Sequence, residues 1–482
     1  MLKPSGVLKN TAIAFGTNIS LKLANVLVFI LISRMDGVEQ SGIFSLGITY
    51  LLITSAIMLG MDELITRQVS RNRTQGKDYL GLYLPLRILL SLGLYAVVVL
   101  VVNLLDYPDL TQRVIIYIGL SLFPDGISSV AQALLIAYDR FGILLYSSLS
   151  AGLVKILGAY WAISSGYGAA GVGIIWLLGS AIGAVINLIA VLHYSGAVQS
   201  SSNVRESLKF NWLKMDIPFL AISLLSTLEF QADVLMLSKM KGAFELGLYS
   251  SITTVISGLM LIPQAFRVAV YPYMIRSHRE LPTSLDRIYR FSILGLGTMA
   301  FPIVVGLGLL SKPVLVFLFS DPFSESGTAL QIAGVVLIFL FLNVPSSRIL
   351  LIFEKQKLVA GLLAISLGIN LLLNAILIPG YSIVGAAISR VISEAAYFVM
   401  AYYFATRLIG SAHSFRDILI PTIAAVLMGL VVWAFKNLAL WYPIIVGLLA
   451  YPLFIFILLQ FFRQDRLLFQ DAGKVFGKIL NH

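Results

Sequence analysis

The stretch KNTAIAFGTNISLKLANVLVFILIS, from Lys9 to Ser33, is long enough to cross a bilayer as a helix, and it carries Lys22 near its middle. A cation at that depth is costly, so it turns toward protein or water rather than lipid. Thr11, Asn18, Lys22 and Asn25 follow at spacings of 7, 4 and 3 residues, which puts all four on one helix face. The opposite face, with Ile13, Leu23, Val26 and Ile30, is apolar. An amphipathic helix inside a membrane needs other helices around its polar side, so this segment is expected to line a central cavity. The plainer reading is that Lys22 snorkels to an interface or pairs with an acid on a neighbouring helix; its polar neighbours favour the cavity.

The rest of the chain has the same character. Of 482 residues, 59% are hydrophobic and only 12% charged, and the mean hydropathy is +0.92. A soluble domain carries about twice that charge fraction. No hydrophilic block is long enough for an independent soluble domain; the longest polar connector runs from about 195 to 211. The run after Met1 lacks a small-residue cleavage site, so the first span is expected to stay as an anchor. With no cysteine there is no thiolate metal site and no cysteine nucleophile. His193, His278, His413 and His482 are scattered without metal-ligand spacing, and no phosphate-cradling Gly-Lys-Ser/Thr loop is present. The sequence therefore predicts no enzyme, no metal centre and no cofactor.

Apolar runs of spanning length lie near 9–33, 41–65, 79–104, 113–137, 141–163, 169–194, 213–238, 243–270, 287–310, 327–350, 357–378, 382–406, 417–436 and 442–462, which makes fourteen spans. With both termini in the cytoplasm, 23 of the 34 Lys and Arg residues fall on the inner side and 6 on the outer. That bias predicts a multi-pass protein of the inner, cytoplasmic membrane with both termini inside. It also accounts for the net charge of +11 as a topology signal, so nucleic acid drops out as a partner. Trp161 with Tyr167, and Trp433 with Trp441 and Tyr442, flank outer turns, where amphipathic rings anchor at the interface.

The chain repeats itself. Ser33-Arg34-Met35-Asp36-Gly37 followed by Gly42-Ile43-Phe44-Ser45 returns, 205 residues later, as Ser238-Lys239-Met240-Lys241-Gly242 followed by Gly247-Leu248-Tyr249-Ser250. Leu135-Ile136-Ala137-Tyr138-Asp139-Arg140 parallels Leu350-Leu351-Ile352-Phe353-Glu354-Lys355, and Gly166-Tyr167 with Gly171 parallels Gly380-Tyr381 with Gly385. The expected fold is thus an all-α polytopic membrane protein of two pseudo-symmetric six-helix lobes plus two C-terminal helices. Residues 1–195 form the N-lobe, 196–212 a cytoplasmic connector, 213–410 the C-lobe, and 411–482 spans 13 and 14 with a cytoplasmic tail. Six spans per half relate the lobes by an axis along the membrane normal, with the transport path between them.

Charges at membrane depth are candidates for function. Besides Lys22, the cations are Arg87, Lys155, Arg267 and Arg390; the acids are Asp125, Glu229, Asp233 and Glu394, while Asp62 and Glu63 close span 2. Arg390 and Glu394 are four apart, so an intrahelical ion pair is as good a reading as a functional one. Glu229 and Asp233 share a face; they suit a coupling H+ or Na+, or the neutralisation of Lys22. Arg87 and Lys155 are expected to snorkel. Arg267, before Tyr271-Pro272 at the inner end of span 8, reads as an inside-face anchor or a phosphate ligand.

The segments LKNTAIAFGTNIS, Gly37 to Tyr50, LGMDELITRQVSR from Leu59, the LLIAYDR and LLIFEKQK turns, and PGYSIVGAAIS from Pro379 give the chain its resemblance to a family. It resembles the Wzx-type flippases of lipid-linked oligosaccharides, in the polysaccharide-transport branch of the MOP exporter superfamily. The resemblance implies that an undecaprenyl-diphosphate-linked glycan passes from the inner to the outer leaflet by alternating access, for O-antigen or other surface polysaccharide. It implies a cationic cavity, matched here by Lys22 and Arg267 through span and depth, with Asn18, Asn25 and Arg390 beside them. Asp125, Glu229, Asp233 and Glu394 are then coupling or charge-balancing groups. The partners implied are the lipid-linked oligosaccharide, membrane lipids and a polysaccharide polymerase. A cation-coupled, MATE-like exporter of small molecules is the alternative.

Overall fold

The computed structural model describes residues 4–58, 60–196, 211–280, 282–410 and 416–461. Most of the expected connector at 196–212, residues 411–415, the tail beyond 461 and the side chain of Thr11 lie outside the described residues.

Backbone in hydrocarbon has no water to bond, so each apolar run must satisfy itself as a helix. Span 1 is α1 (Pro4–Met35) and span 2 is α2 (Gly37–Met58) with α3 (Gly60–Arg71). Span 3 is α4 (Gly76–Leu104), and span 4 is α5 (Asp109–Gly119) with α6 (Leu122–Ala137). Then come α7 (Phe141–Ser164), α8 (Gly168–Gly196) and α9 (Asn211–Met240) as spans 5 to 7. Span 8 is α10 (Ala243–Leu259) with α11 (Leu261–Glu280), and span 9 is α12 (Pro282–Phe319). Span 10 is α13 (Gly327–Gly334) with α14 (Val336–Ile352). Spans 11 and 12 are the two arms of α15 (Gln356–Ile409), and spans 13 and 14 are α16 (Arg416–Ala434) and α17 (Trp441–Phe461). The arms of α15 reverse at Ser382, where φ is 47° and ψ −127°. Across them the Ser366 hydroxyl donates to the Ser393 carbonyl at 2.8 Å, a contact that an uninterrupted helix rising about 1.5 Å per residue would forbid. Among the described residues twelve helices are long and apolar enough to cross a membrane; counting the arms of α15 separately and adding α16 accounts for the fourteen spans, and the protein is a multi-pass membrane protein.

The backbone carries the repeat more sharply than the side chains do. Positive φ angles recur in register at Gly37 (90°) and Gly242 (87°), Asp106 (50°) and Ser320 (113°), Asp139 (60°) and Glu354 (58°), and Gly168 (56°) and Ser382 (47°). The turn at Asp139 closes with Arg140 N–H donating to the Leu135 carbonyl at 2.8 Å, and the turn at Glu354 with Lys355 N–H donating to Leu350 at 2.9 Å. Spans 4 and 10 are each split into two helices at matching positions, after Gly119 and after Gly334. The second half thus repeats this interruption of the first as well as its turns.

Packing divides the chain into two compact units, one up to Ser250 and the other from Ser251. The repeat boundary lies one span earlier. Span 7 falls in the first unit because α9 packs on α2, where the Thr49 hydroxyl donates to Gln231 Oε1 at 3.0 Å. Within this unit the repeat-related glycines Gly42 and Gly247 meet. A Cβ on Gly42 would fall onto the carbonyl oxygen of Ala243, and a Cβ on Gly247 onto that of Val38, with Val38 and Ala243 themselves at the same repeat position. The contact is reciprocal and backbone to backbone, so only glycine fits on either side. On α1 the residues turned inward are Ala24, Val28, Phe29 and Ile32, and Ala24 seats against Gly152 of α7. Leu23, assigned above to the apolar face, is exposed as a lipid-facing residue is.

In the second unit, Val270, Met274, Tyr289, Leu342 and Ile349 join Phe398 in one core, and α16 and α17 pack on α12 around Leu310, Met428 and Tyr451. Trp161, Tyr167, Trp433, Trp441 and Tyr442 are all exposed, as interfacial anchors are.

Candidate functional site

In the first unit, Lys22 and Asn25 are half-buried on α1, and Asn18 is exposed with its amide donating to the Ala14 carbonyl at 3.1 Å. On α9, Glu229 and Asp233 are both buried, and Asp233 Oδ2 accepts from the Tyr249 hydroxyl at 2.7 Å.

Arg87 and Lys155 do not snorkel. Arg87 is 1% exposed: its guanidinium pairs with Asp62 on α3, donates to the Met58 carbonyl at the end of α2, and donates to the Ser129 hydroxyl at 3.1 Å. It thereby ties α4 to α2, α3 and α6 in one buried cluster. Lys155 is 8% exposed, with its ammonium 4.0 Å from the centre of the Trp176 ring. Gly179 makes the slot, since a Cβ there would press on the Lys155 stem at 2.5 Å. Asp125, half-buried on α6, lies within electrostatic reach of this ammonium and beside Ser180, whose hydroxyl makes no hydrogen bond of ordinary geometry. The structure thus brings Asp125 together with Lys155, a pairing of spans 4 and 5 that no spacing within one helix reveals.

In the second unit, Arg390 and Glu394 form the ion pair that their spacing allows, at 3.2 Å, and the Asn343 amide donates to the other Glu394 oxygen at 3.1 Å. The network extends to Asn374, whose amide donates to Asn370 at 3.0 Å, while the Asn343 and Asn374 carbonyl oxygens accept nothing. Buried in hydrocarbon, the pair spares both groups an isolated charge.

Arg267 on α11 is different. It is half-buried beside Arg348 of α14, also half-buried, and both border a narrow cleft with Phe266, Tyr271, Ser292 and Pro345. Among the described residues no carboxylate lies at ion-pair distance from either guanidinium. Nothing in the sequence singles out Arg348; what marks it is its place on the helix that packs against α11, which tertiary structure alone supplies.

An apolar groove of about 400 Å³ runs between α12, α16 and α17, bordered by Leu259, Pro302, Gly306, Met428, Gly447 and Tyr451. It gives spans 13 and 14, which stand outside the repeat, a role in shaping a lateral surface. Among the described residues no group of His, Cys, Asp and Glu is arranged to hold a metal ion.

The polysaccharide biosynthesis protein family matches residues 7–278, more than half of the chain. The chain belongs to that family. Relatives within reach of the family member include a probable low-salt glycan biosynthesis flippase, Agl15, of Haloferax volcanii, 22% identical over 84% of this chain and 85% of its own length. Another is the capsular polysaccharide biosynthesis protein CapF of Staphylococcus aureus, 23% identical over 83% of this chain and 100% of its own length. Among solved structures the fold matches the lipid II flippase MurJ in an inward closed conformation, with a TM-score of 0.77, 16% identity, and 93% of this chain and 99% of that one covered. It also matches an inward-facing MATE transporter of the MOP superfamily, with a TM-score of 0.62, 13% identity, and 81% and 94% covered. The polysaccharide biosynthesis family member therefore shares its fold with these two structures.

Proposed function

We propose that this protein is a flippase that carries an undecaprenyl-diphosphate-linked oligosaccharide from the inner to the outer leaflet of the cytoplasmic membrane, for surface polysaccharide biosynthesis. The observation that carries the reading is Arg267: a cation at membrane depth, half-buried, with no carboxylate at ion-pair distance among the described residues. Charge kept at that depth without an acid is expected to meet a charged cargo, and a diphosphate is the matching anion. Lys22 supplies a second cation, with Asn18 and Asn25 beside it as amides suited to sugar hydroxyls. The groove at α12, α16 and α17 is long and apolar enough to shelter part of a polyprenyl chain. The glycan biosynthesis roles in the names of the two relatives support the same reading.

The cycle is alternating access by the two repeat halves, with both termini in the cytoplasm. Coupling to H+ or Na+ falls to Glu229, Asp233 and Asp125, while Glu394 balances Arg390. A polysaccharide polymerase is the partner expected to receive the exported glycan.

The test is Lys22→Ala in cells that make the polysaccharide. Surface polysaccharide is expected to disappear while the protein still reaches the membrane. Wild-type polysaccharide in a well-expressed variant refutes the reading, and drug resistance on overexpression without a glycan phenotype points instead to a small-molecule exporter.

A further inference from the structure

We infer that Tyr107 and Lys239 form a releasable clasp that fastens span 7, the first helix of the second repeat, onto the first repeat at the end of the protein opposite its N-terminus. Its use as an outer gate in the transport cycle rests on the alternating-access reading; the clasp itself does not.

Two kinds of contact meet there, both within the first unit. One is fixed by shape: the seat of Gly42 against Gly247 sets how near α2 and α10 lie. The other is made of polar groups. The Tyr107 hydroxyl accepts from the Tyr50 hydroxyl on α2 at 3.4 Å and lies 3.1 Å from the Ser238 hydroxyl on α9. Ser238 already donates to the Leu235 carbonyl at 2.7 Å, so Tyr107 is the donor to it, and the three hydroxyls run in one direction from span 2 to span 7. The Lys239 ammonium stands 3.8 Å from the centre of the Tyr107 ring and donates to the Leu105 carbonyl, where α4 ends. A cation placed so meets the ring face and the negative end of a helix dipole together. Further along α9, Gln231 takes the Thr49 bond already described. The Tyr249 bond to Asp233 ties α9 to α10, so the clasp and the glycine seat act on one hairpin.

Three features separate this from ordinary packing. First, the turn does not need the tyrosine. Its counterpart in the second repeat keeps the positive φ, at Ser320, and the proline, but reads Asp321-Pro322 where the first reads Tyr107-Pro108, and Asp321 is exposed. Secondly, Tyr107 is held out by its own half: the Gln112 side chain donates to its carbonyl at 2.7 Å, and its ring is buried. Thirdly, the polar contacts are ones that water can replace. The hydroxyl bonds join neutral groups, and Lys239 is exposed and makes no ion pair among the described residues. The Arg87 cluster could not open in this way without stranding a buried charge.

The test exploits a chain that has no cysteine, so a single introduced thiol reports alone. Thr49→Cys puts it at a buried position facing span 7. The purified full-length protein carrying it, in nanodiscs whose two faces both meet the reagent, is labelled with a fluorescent maleimide, and all rates are compared within that background. Tyr107→Phe keeps the ring and removes both hydroxyl bonds; Lys239→Gln removes the ammonium. Each is expected to speed labelling by about twofold to tenfold, as for loss of one neutral hydrogen bond or a little more. Asp321→Asn, in the counterpart turn, is expected to leave the rate unchanged. The control thiol is Ala162→Cys, buried in α7, which packs on α1, α6 and α8; its labelling is expected to stay flat in both variants. An unaltered Thr49→Cys rate in Tyr107→Phe overturns the clasp. Equal acceleration at Ala162→Cys also overturns it, since that is general loosening. If Tyr107→Phe does not fold, Lys239→Gln decides in its place, with Lys239→Arg, which keeps a cation over the ring, expected to label near the unsubstituted rate. The labelling needs no cargo, so the two readings fail separately. Acceleration in a protein whose deletion leaves surface glycan intact refutes the flippase and leaves the clasp; loss of glycan in Lys22→Ala with unaltered labelling in Tyr107→Phe does the reverse.

Discussion

Arg87→Met is the sharpest test of how the first unit is held together. The guanidinium bonds three elements at once: the Asp62 carboxylate on α3, the Met58 carbonyl that ends α2, and the Ser129 hydroxyl on α6. Methionine keeps most of the apolar stem and removes every donor. Breaking a buried pair by removing one partner costs about 3–5 kcal/mol. The Asp62 side chain is 22% exposed, and hydrogen bonds measured inside membrane proteins average only about 0.6 kcal/mol, so the lower end applies. The expected loss is about 3 kcal/mol, most of it from the lost ion pair with Asp62 and the rest from the lost hydrogen bonds to the Met58 carbonyl and the Ser129 hydroxyl. Reversible unfolding in mixed micelles with increasing SDS, followed by tryptophan fluorescence, reads it directly. Arg87→Met combined with Asp62→Leu removes both charges and should regain about half the loss, because an ion pair replaced by apolar groups is often close to neutral. A single variant within about 1 kcal/mol of wild type, or a double variant no better than the single, refutes the idea that Arg87 ties α2, α3, α4 and α6 together.

Three further outcomes follow from glycines. Gly42→Ala should destabilise by about 1–3 kcal/mol, the usual cost of overpacking, because the new methyl group meets backbone that has no side chain to swing aside. Gly93→Ala in α4 has nothing within 4 Å of the new carbon and should be neutral or gain up to about 1 kcal/mol from helix propensity; the same unfolding assay measures both. Gly306→Leu places a side chain in the open groove of the second unit, where its first carbon meets nothing within 4 Å. It should leave the unfolding curve in place and cut glycan export several-fold, and full export from that variant would mean that the groove holds no part of the cargo.

Much of the fold was legible because membrane proteins write their spans in hydropathy and their orientation in charge. The repeat was legible for a different reason: turns such as the one at Asp139 and Glu354 need a particular backbone angle, and the short motifs around them survive where apolar spans drift. The interruption after Gly119 was not legible, since residues on both sides are apolar and continue the span. Arg87 and Lys155 expose the deeper limit. Hydropathy gives a residue's depth but not the direction in which its side chain turns, and the direction was set by Asp62 in one case and by the Trp176 face in the other. The Arg390 and Glu394 pair was readable because both lie on one helix. Asp125 with Lys155, and Arg267 with Arg348, were not, because each pair is assembled across helices that only the folded chain brings side by side.

The mutual seat of Gly42 and Gly247 bears on the history of the chain. In a protein whose two halves have drifted until few residues match, most positions in one copy are at liberty to change without regard to the other. Here they are not: a methyl group gained by either glycine strikes the main chain of its counterpart's helix, so neither can be replaced alone and no compensating substitution on the far side can make room. Divergence after an ancestral duplication would stop at this point, and the twin glycines are where it should be sought when sequence similarity between the halves has otherwise faded.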